Sequence, residues 1–107
     1  MSGINYEREL REKLKKQGYL VIRSAGSHLF DLVALKPNEK PKIIEVKSTK
    51  NNKFYTSTCK DQIDMLNDLA YQGYDVYLYI RWIGKDKENK WSEHKLPFKN
   101  HPIISNR

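Results

Sequence analysis

The segment KIIEVK at residues 42–47 has the composition of a β-strand. Successive side chains of a strand point to opposite faces. Glu45 and Lys47 therefore share one face, while Ile44 and Val46 share the other. A carboxylate and an ammonium group two residues apart are thus held side by side on one face of this strand.

A second strand is predicted immediately before it, at residues 30–36 (FDLVALK). Only the segment PNEKP at residues 37–41 separates the two strands, and so short a connection predicts antiparallel pairing. Asp31 lies six residues before the first proline of this connection, and Glu45 lies four residues after the second. With these matched spacings, the two carboxylates are predicted to come close together across the hairpin.

Two helices and two further strands complete the predicted fold. Tyr6, Leu10 and Leu14 repeat every four residues and predict an amphipathic helix over residues 4–17. The remaining elements are a strand at 19–23, a helix at 58–72 and a strand at 74–82. The order αβββαβ predicts an α/β fold with a central mixed β-sheet flanked by helices. We expect one domain over residues 1–107, with a core at about 3–83 and an irregular C-terminal tail at about 84–107.

Composition narrows the class of protein. The 107 residues include 20 Lys and Arg against 13 Asp and Glu, a net charge of +7, which favours a polyanionic partner such as nucleic acid. No apolar run approaches the roughly 20 residues of a membrane span, and residues 1–10 lack the apolar stretch of a signal peptide. The single Cys59 cannot form an internal disulfide or a cysteine-rich zinc site. We therefore expect a cytoplasmic protein.

The pair of carboxylates predicted by the hairpin indicates a metal site. Asp31 and Glu45 repel each other unless a cation lies between them. Carboxylate oxygens suit Mg²⁺ or Mn²⁺, and such an ion can lower the pKa of a bound water beside a phosphate. Lys47 is then placed to hold that water and to stabilise developing charge. The alternative is an ordinary ion pair between Glu45 and Lys47 on an exposed strand.

Two polar residues share faces with apolar ones on the predicted helices. Glu7 lies on the face of Leu10 and Leu14, where an acidic residue needs a metal or a basic partner. Gln62 shares a face with Leu66 and Leu69, so its amide is predicted to face the sheet. It either orients a water or backbone group near the carboxylates or makes a local hydrogen bond at the helix start.

Basic and aromatic residues suggest interaction surfaces. Lys50 and Lys53 follow the KIIEVK strand closely enough to reach phosphates near the carboxylates, and Lys13 and Lys16 lie on the exterior of the first helix. For any one of these lysines taken alone, a solvated surface is the better explanation. In the last predicted strand, Tyr77, Tyr79 and Arg81 share a face that forms either a dimer contact or part of the core, depending on whether the first helix covers it.

Six residues occur in an order that resembles a known family. Glu7 stands in GINYEREL, Arg23 in VIRSAGS, Asp31 in FDLVAL, Glu45 and Lys47 in IIEVKS, and Gln62 in the following helix. Over about residues 3–80 the chain resembles the archaeal-type Holliday junction resolvases of the PD-(D/E)-x-K nuclease superfamily. In place of the usual proline before the metal-binding aspartate, this chain has Phe30.

The resemblance implies a restriction-endonuclease-like fold and Mg²⁺-dependent hydrolysis of DNA. It also implies a homodimer that resolves four-way junctions by paired symmetric nicks, with no small-molecule cofactor. By this resemblance, Asp31 and Glu45 bind the metal and Lys47 positions the attacking water. Glu7 is a further acidic group at the metal, acting directly or through water. The resemblance also implies an active-site amide at Gln62, a functional serine at Ser27 and a phosphate contact from Arg23.

Three alternatives stay open. The chain could be a nuclease of the same superfamily with another DNA substrate, which only substrate preference would distinguish. A non-catalytic nucleic-acid-binding module would need no shared face for Asp31, Glu45 and Lys47 and would gain no stability from divalent cations. A protein-interaction domain would bind DNA weakly, without steep salt dependence.

Overall fold

The computed structural model describes residues 3–24 and 30–106, with side chains described from residue 6 onward. Ser27 and His28 lie outside the described residues. The elements are α1 (Gly3–Lys16), β1 (Leu20–Arg23), β2 (Leu32–Leu35), β3 (Lys42–Thr49), β4 (Lys53–Tyr55), a 3-10 helix (Thr56–Cys59), α2 (Lys60–Tyr71), β5 (Asp75–Trp82), β6 (Trp91–Lys95) and β7 (Ile103–Ser105). Each of the six predicted elements is present, and its ends differ from the prediction by at most two residues.

A mixed five-stranded sheet forms the centre of the molecule, in the order β1-β2-β3-β5-β6. The predicted hairpin is confirmed, since β2 pairs antiparallel with β3 and Leu32 faces Ile44. Its turn passes through Asn38 at a φ of 66°, a left-handed conformation that asparagine tolerates. β5 lies parallel to β3, and α2 provides the crossover that parallel neighbours require.

The two helices cover opposite faces of this sheet. On one face, Leu10 and Leu14 of α1 pack in a buried cluster that includes Ile44 and Tyr79. On the other face, Ile63 and Leu66 of α2 pack in a cluster that includes Leu78. The alternation of side chains along β3 and β5 thus divides the core into an α1 face and an α2 face.

The tail that we expected to be irregular contains two strands. β6 pairs antiparallel with β5 and extends the sheet, and the adjacent Leu96 is 1% exposed within the core on the α2 face. β7 pairs with β4, a short strand where none was predicted from the sequence. The WSEHK sequence of β6 has little apolar character because it is an edge strand, so its pattern gave no signal.

The start of α2 also differs from the prediction. The Thr58 hydroxyl does not cap this helix and donates a hydrogen bond to the Tyr55 carbonyl at 2.7 Å instead. Cys59 is the N-cap residue and makes no side-chain capping bond. The extra turn of 3-10 helix shifts the start of α2 to Lys60. Within the described part of the chain, neither helix has the length and apolar character needed to cross a membrane.

Candidate active site

The β2–β3 hairpin brings Asp31 beside Glu45. Asp31 directly precedes β2, and its backbone N–H donates to the Ile44 carbonyl at 2.9 Å. Its carboxylate Oδ2 accepts a hydrogen bond from the Val46 N–H at 2.8 Å. These two bonds go to the residues before and after Glu45 and hold Asp31 against β3. Asp31 lies one position beyond the first paired residue of β2. The expected proximity of the two carboxylates follows from this register.

Glu45 is the most constrained charged group in this region. The residue is 4% exposed, and its Oε2 lies 3.3 Å from the Lys47 Nζ. Its Oε1 is buried and has no hydrogen-bond partner among the described residues. Burial and the nearby Asp31 charge raise the pKa of Glu45 to about 7, although Lys47 opposes the shift. The site therefore disfavours a second negative charge unless a further cation is present.

These donors fit a hard divalent cation. An orphaned buried carboxylate oxygen costs free energy that a bound cation would recover. Asp31 and Glu45 supply oxygen ligands of the kind that Mg²⁺ and Mn²⁺ prefer, and Mg²⁺ is commonly held by only one or two carboxylates. Among the described residues, no three His, Cys, Asp or Glu residues lie close enough together to form a metal site. The protein therefore offers two carboxylates at this position.

Glu7 does not join this pair in the structure. Its side chain is nearly buried, and the Arg23 Nε donates to its Oε1 at 2.8 Å. Arg23 pairs with Leu32 in the β1–β2 ladder and lies on the sheet face that α1 covers. Glu45 pairs with Leu78 in the β3–β5 ladder and lies on the opposite face, which α2 covers. The predicted ligand set of three carboxylates is therefore not assembled. Glu7 instead has a basic partner, which was the alternative to a metal, and this partner is Arg23.

Two more polar groups lie at the start of α2 or just before it. This helix covers the face of the sheet that carries Glu45. Gln62 is half-buried in the first turn of this helix, next to the buried Ile63. Cys59, immediately before α2, is half-buried as well. Burial raises the pKa of its thiol, and the charges of Lys47 and Glu45 also act on it. The position of Cys59 near the charges of Glu45 and Lys47 was not predicted from the sequence.

The basic residues predicted to contact DNA fall in different places. Lys50 and Lys53 are exposed where the chain leaves β3, and Lys53 lines a cleft of about 900 Å³. Lys13 lines a different cleft that includes Lys42, at the end where β3 begins. The structure thus brings Lys50 and Lys53 together but not with Lys13 or its neighbour Lys16. Two lysines that the prediction omitted, Lys85 and Lys87, line the Lys53 cleft.

The aromatic face of β5 is covered. Tyr79 is 6% exposed and packs with α1 in the core on that face. Arg81 donates a hydrogen bond to Glu9 of α1 at 2.9 Å and is only partly exposed. The core alternative for these residues is therefore correct, and a dimer contact through Tyr77, Tyr79 and Arg81 is wrong, because α1 occupies this surface.

A model of the archaeal Holliday junction resolvase family, Hjc, matches residues 1–96. The chain belongs to this family. It is 39% identical over 84 residues to the crossover junction endodeoxyribonuclease Hjc of Methanocaldococcus jannaschii. That alignment covers 78% of this chain and 61% of the relative, so the chain spans less than two thirds of the length of this curated Hjc protein.

A solved structure of an Hjc resolvase supports the same fold. The Archaeoglobus fulgidus Hjc, described as a Holliday junction resolvase from an archaeal hyperthermophile, superimposes with a TM-score of 0.72 at 25% identity. The match covers 96% of this chain and 83% of that chain. Both the family resemblance and the restriction-endonuclease-like α/β architecture expected from the sequence are thereby confirmed.

Proposed function

We propose that this Hjc-family protein is a metal-dependent endonuclease that resolves four-way DNA junctions by hydrolysing phosphodiester bonds in paired, symmetric positions. The observation that carries the proposal is the hairpin that places Asp31, Glu45 and Lys47 together, in a chain that belongs to the resolvase family. The names of the M. jannaschii and A. fulgidus relatives, a crossover junction endodeoxyribonuclease and a Holliday junction resolvase, support the same activity.

Asp31 and Glu45 would hold Mg²⁺ or Mn²⁺. When bound, such an ion neutralises charge on a phosphate and lowers the pKa of a bound water. The Val46 N–H fixes one carboxylate oxygen of Asp31 and thereby orients the other. Glu45 presents its unpaired Oε1, and burial in the hairpin keeps competing water away from it. These features pre-organise the two carboxylates before a cation arrives.

Lys47 would act on the phosphate and the attacking water. Its ammonium group lies 3.3 Å from the Glu45 carboxylate, and the Lys47 side chain is 29% exposed, so part of the side chain faces solvent, where a DNA strand can approach. A fixed cation at this place stabilises negative charge that develops on the phosphate oxygens. Lys47 also limits the repulsion between Asp31 and Glu45, as its opposing effect on the pKa of Glu45 indicates.

The other roles are carried by the family resemblance. Glu7 would contribute at the metal through water, because Arg23 occupies its Oε1. The Arg23 side chain is about half exposed and its guanidinium keeps further N–H donors, so it would contact a phosphate. Gln62 would place its amide near the carboxylates, and Ser27 would be a functional serine. The net charge of +7, rather than the resemblance, supports phosphate contacts by Lys50 and Lys53 and by Lys13 and Lys16 on the far surface.

A homodimer is part of the proposal. A four-way junction presents two equivalent strands related by a two-fold axis, and cutting both requires two sites with the same symmetry. One chain holds one copy of the Asp31–Glu45 pair. A second copy of the chain would supply the second site.

The test is a cleavage assay on an end-labelled, immobile four-way junction and on a linear duplex of the same sequence, with Mg²⁺ or with EDTA. We expect Mg²⁺-dependent paired nicks in the junction and none in the duplex. Asp31→Asn and Glu45→Gln should each lower the cleavage rate at least 100-fold, and Lys47→Ala by about 100- to 1,000-fold, on the scale known for groups that stabilise transition-state charge. DNA binding should persist.

Matched controls separate the site from general charge effects. Asp68→Asn removes an exposed carboxylate of α2, and Glu12→Gln removes an exposed one of α1. Both variants should cleave as the wild type does. Cutting of junction and duplex alike would indicate a superfamily nuclease with another substrate. Salt-sensitive binding without cleavage would favour a non-catalytic nucleic-acid-binding module, and full activity in all three site variants would refute the site assignment.

A further inference from the structure

The last residues of the chain tie together two lysine-bearing loops. The first loop, residues 50–52, leaves the end of β3, and the second, residues 83–90, leaves the end of β5. β7 pairs with β4 and carries the chain to Asn106, which is 5% exposed. Residues 97–106 lie beyond the part of the chain that the family model matches. The family match therefore says nothing about these residues, and their role has to be inferred from their contacts.

Asn106 uses its side-chain amide as a clamp on the second loop. Its Oδ1 accepts hydrogen bonds from the N–H groups of Glu88 at 2.8 Å and Asn89 at 3.4 Å. Its Nδ2 donates to the Asn89 carbonyl at 2.9 Å. Asn89 returns the contact by donating its own amide to the Asn106 carbonyl at 2.7 Å. The amide of Asn106 supplies both the acceptor and the donor that this loop requires.

Asn106 also reaches the first loop. Its backbone N–H donates to the Asn52 carbonyl at 3.0 Å. The Asn52 side chain in turn accepts a hydrogen bond from the Lys87 ammonium group at 2.7 Å. The two loops are thus joined both through Asn106 and directly, and they form the walls of the cleft of about 900 Å³ that Lys53, Lys85 and Lys87 line. We call this cleft the tail cleft.

The tail cleft is basic. Lys50, Lys53, Lys85 and Lys87 lie in or beside it, and none of them forms an ion pair with a carboxylate in the described parts of the chain. Asp86 and Glu88 also line the cleft and reduce its positive charge without cancelling it. Ammonium groups that have no carboxylate partner and are held on ordered loops are suited to a phosphate backbone, because each phosphate contact releases condensed counterions.

The tail cleft lies close to the proposed active site. Thr49, the last residue of β3, is four residues beyond Glu45, a distance of about 13 Å along a strand. The Ile83 N–H at the start of the second loop donates to the Thr49 carbonyl at 2.9 Å. A DNA strand advances about 3.4 Å along the helix axis for each phosphate. Phosphates about four nucleotides from a bond held at Glu45 would therefore reach the tail cleft.

We propose that Asn106 is a positioning residue that holds the loop at 83–90 so that Lys85 and Lys87 contact DNA phosphates beside the cleavage site. The inference rests on the proposed function, since the DNA would be an arm of the junction. An ordered loop loses less conformational freedom when DNA binds than a mobile loop does. Asn106 thereby contributes to DNA affinity without touching DNA.

The test measures binding of a fluorescently labelled four-way junction in EDTA, which prevents cleavage, over a range of salt concentrations. The variants are Lys85→Ala/Lys87→Ala, Asn106→Ala and the combination of all three. Lys40→Ala/Lys95→Ala is the matched control. It removes the same charge from the opposite end of the sheet, near the start of β3 and the end of β6.

We expect Lys85→Ala/Lys87→Ala to weaken binding at least tenfold. The slope of log K against log salt concentration should become shallower by about 1 to 2, because each lost phosphate contact reduces this slope by about 0.9. Asn106→Ala should weaken binding about three- to tenfold. It should have no further effect on the double lysine variant, because it acts through those lysines. The control should bind close to wild type.

The outcomes separate this inference from the proposed function. Wild-type affinity and salt slope in Lys85→Ala/Lys87→Ala would overturn the inference, whether or not the enzyme cuts junctions. An effect of Asn106→Ala that simply adds to that of the lysine variant would overturn the positioning role. Binding that follows our expectation without Mg²⁺-dependent cleavage would support the inference and refute the proposed function. If Asn106→Ala does not fold, Asn89→Ala, which removes one bond of the clamp, replaces it.

Discussion

At the scale of single residues, Glu45 concentrates the electrostatic cost of the site. Its pKa is raised from 4.5 to about 7, first by burial and then by the Asp31 charge. The folded state therefore binds a proton more tightly than the unfolded chain does. The stability that this proton contributes is fully present below about pH 4.5 and is lost as pH rises through about 7.

The expected result is a metal-free protein whose free energy of unfolding falls between pH 5 and pH 8. The contribution of Glu45 is at most about 3 kcal/mol, from 1.36 kcal/mol for each unit of pKa. Glu45→Gln should flatten this dependence, because the amide does not titrate. Urea unfolding in EDTA at several pH values measures both proteins. An unchanged slope in Glu45→Gln would show that another group carries the dependence, and Glu12→Gln serves as the control.

A second residue-scale prediction concerns Glu7, which pairs with Arg23 rather than with the two carboxylates. A cation that binds the folded state raises its stability by mass action, by about 2.7 kcal/mol at 100 times the dissociation constant. We expect Mg²⁺ or Mn²⁺ to raise the melting temperature of the wild type at pH 8. Asp31→Asn and Glu45→Gln should abolish this rise.

Glu7→Gln should retain most of the stabilisation by the cation, because its contribution at the metal would pass through water. Complete loss in Glu7→Gln would instead make Glu7 a direct ligand and would require it to leave Arg23. Thermal melts with increasing Mn²⁺, with Glu12→Gln as the control on the same helix, distinguish these results.

At the scale of elements, α1 is fixed to the sheet by one carboxylate as well as by its apolar face. The Oε1 of Glu9 accepts hydrogen bonds from the Arg81 Nε at 2.9 Å and the Trp91 Nε1 at 2.7 Å. Burial raises the pKa of Glu9, but these bonds and the charges of Arg81 and Lys90 together lower it below its ordinary value. Glu9 thus connects α1 to both β5 and β6.

We expect Glu9→Ala to lower the free energy of unfolding by about 2 kcal/mol, because two charge-assisted hydrogen bonds are lost and their donors are left in a half-buried place. Glu12→Ala removes an exposed glutamate whose ion pair lies on the same helix, and it should cost less than about 0.5 kcal/mol. Urea titrations compare the two. Equal effects would mean that the apolar face alone docks α1.

The elements also show where sequence reasoning works and where it fails. The buried residues Leu10 and Leu14 lie on one face of α1, and the alternating buried residues of β5 lie on one face of that strand. Their periodicity therefore predicts both the type of element and its orientation. β6 and β7 bury little, since β7 has only one half-buried residue between two exposed ones. Such strands are stabilised mainly by hydrogen bonds to a neighbouring strand, and that partner is not encoded locally.

At the scale of the whole molecule, the proposed paired cleavage requires two chains. We expect sedimentation equilibrium to give twice the 12.7 kDa of one chain at micromolar concentration. Mixed dimers of wild type and Asp31→Asn should then nick only one strand of each junction, because one of the two sites lacks a ligand. Wild-type and mixed preparations are compared on a supercoiled cruciform plasmid, which one nick relaxes and two nicks linearise. A monomer that makes paired nicks would contradict the homodimer.

Local sequence was enough to predict the helices and strands that bury a regular face, the β2–β3 hairpin and the meeting of Asp31, Glu45 and Lys47. These features depend on local periodicity and on the length of one short turn, both of which are readable along the chain. Three other features became visible only in the folded molecule: Glu7 pairs with Arg23, α1 covers the aromatic face of β5, and Asn106 joins two distant loops. Each of these depends on contacts between segments far apart in the sequence, where hydrogen bonding and burial select the partner.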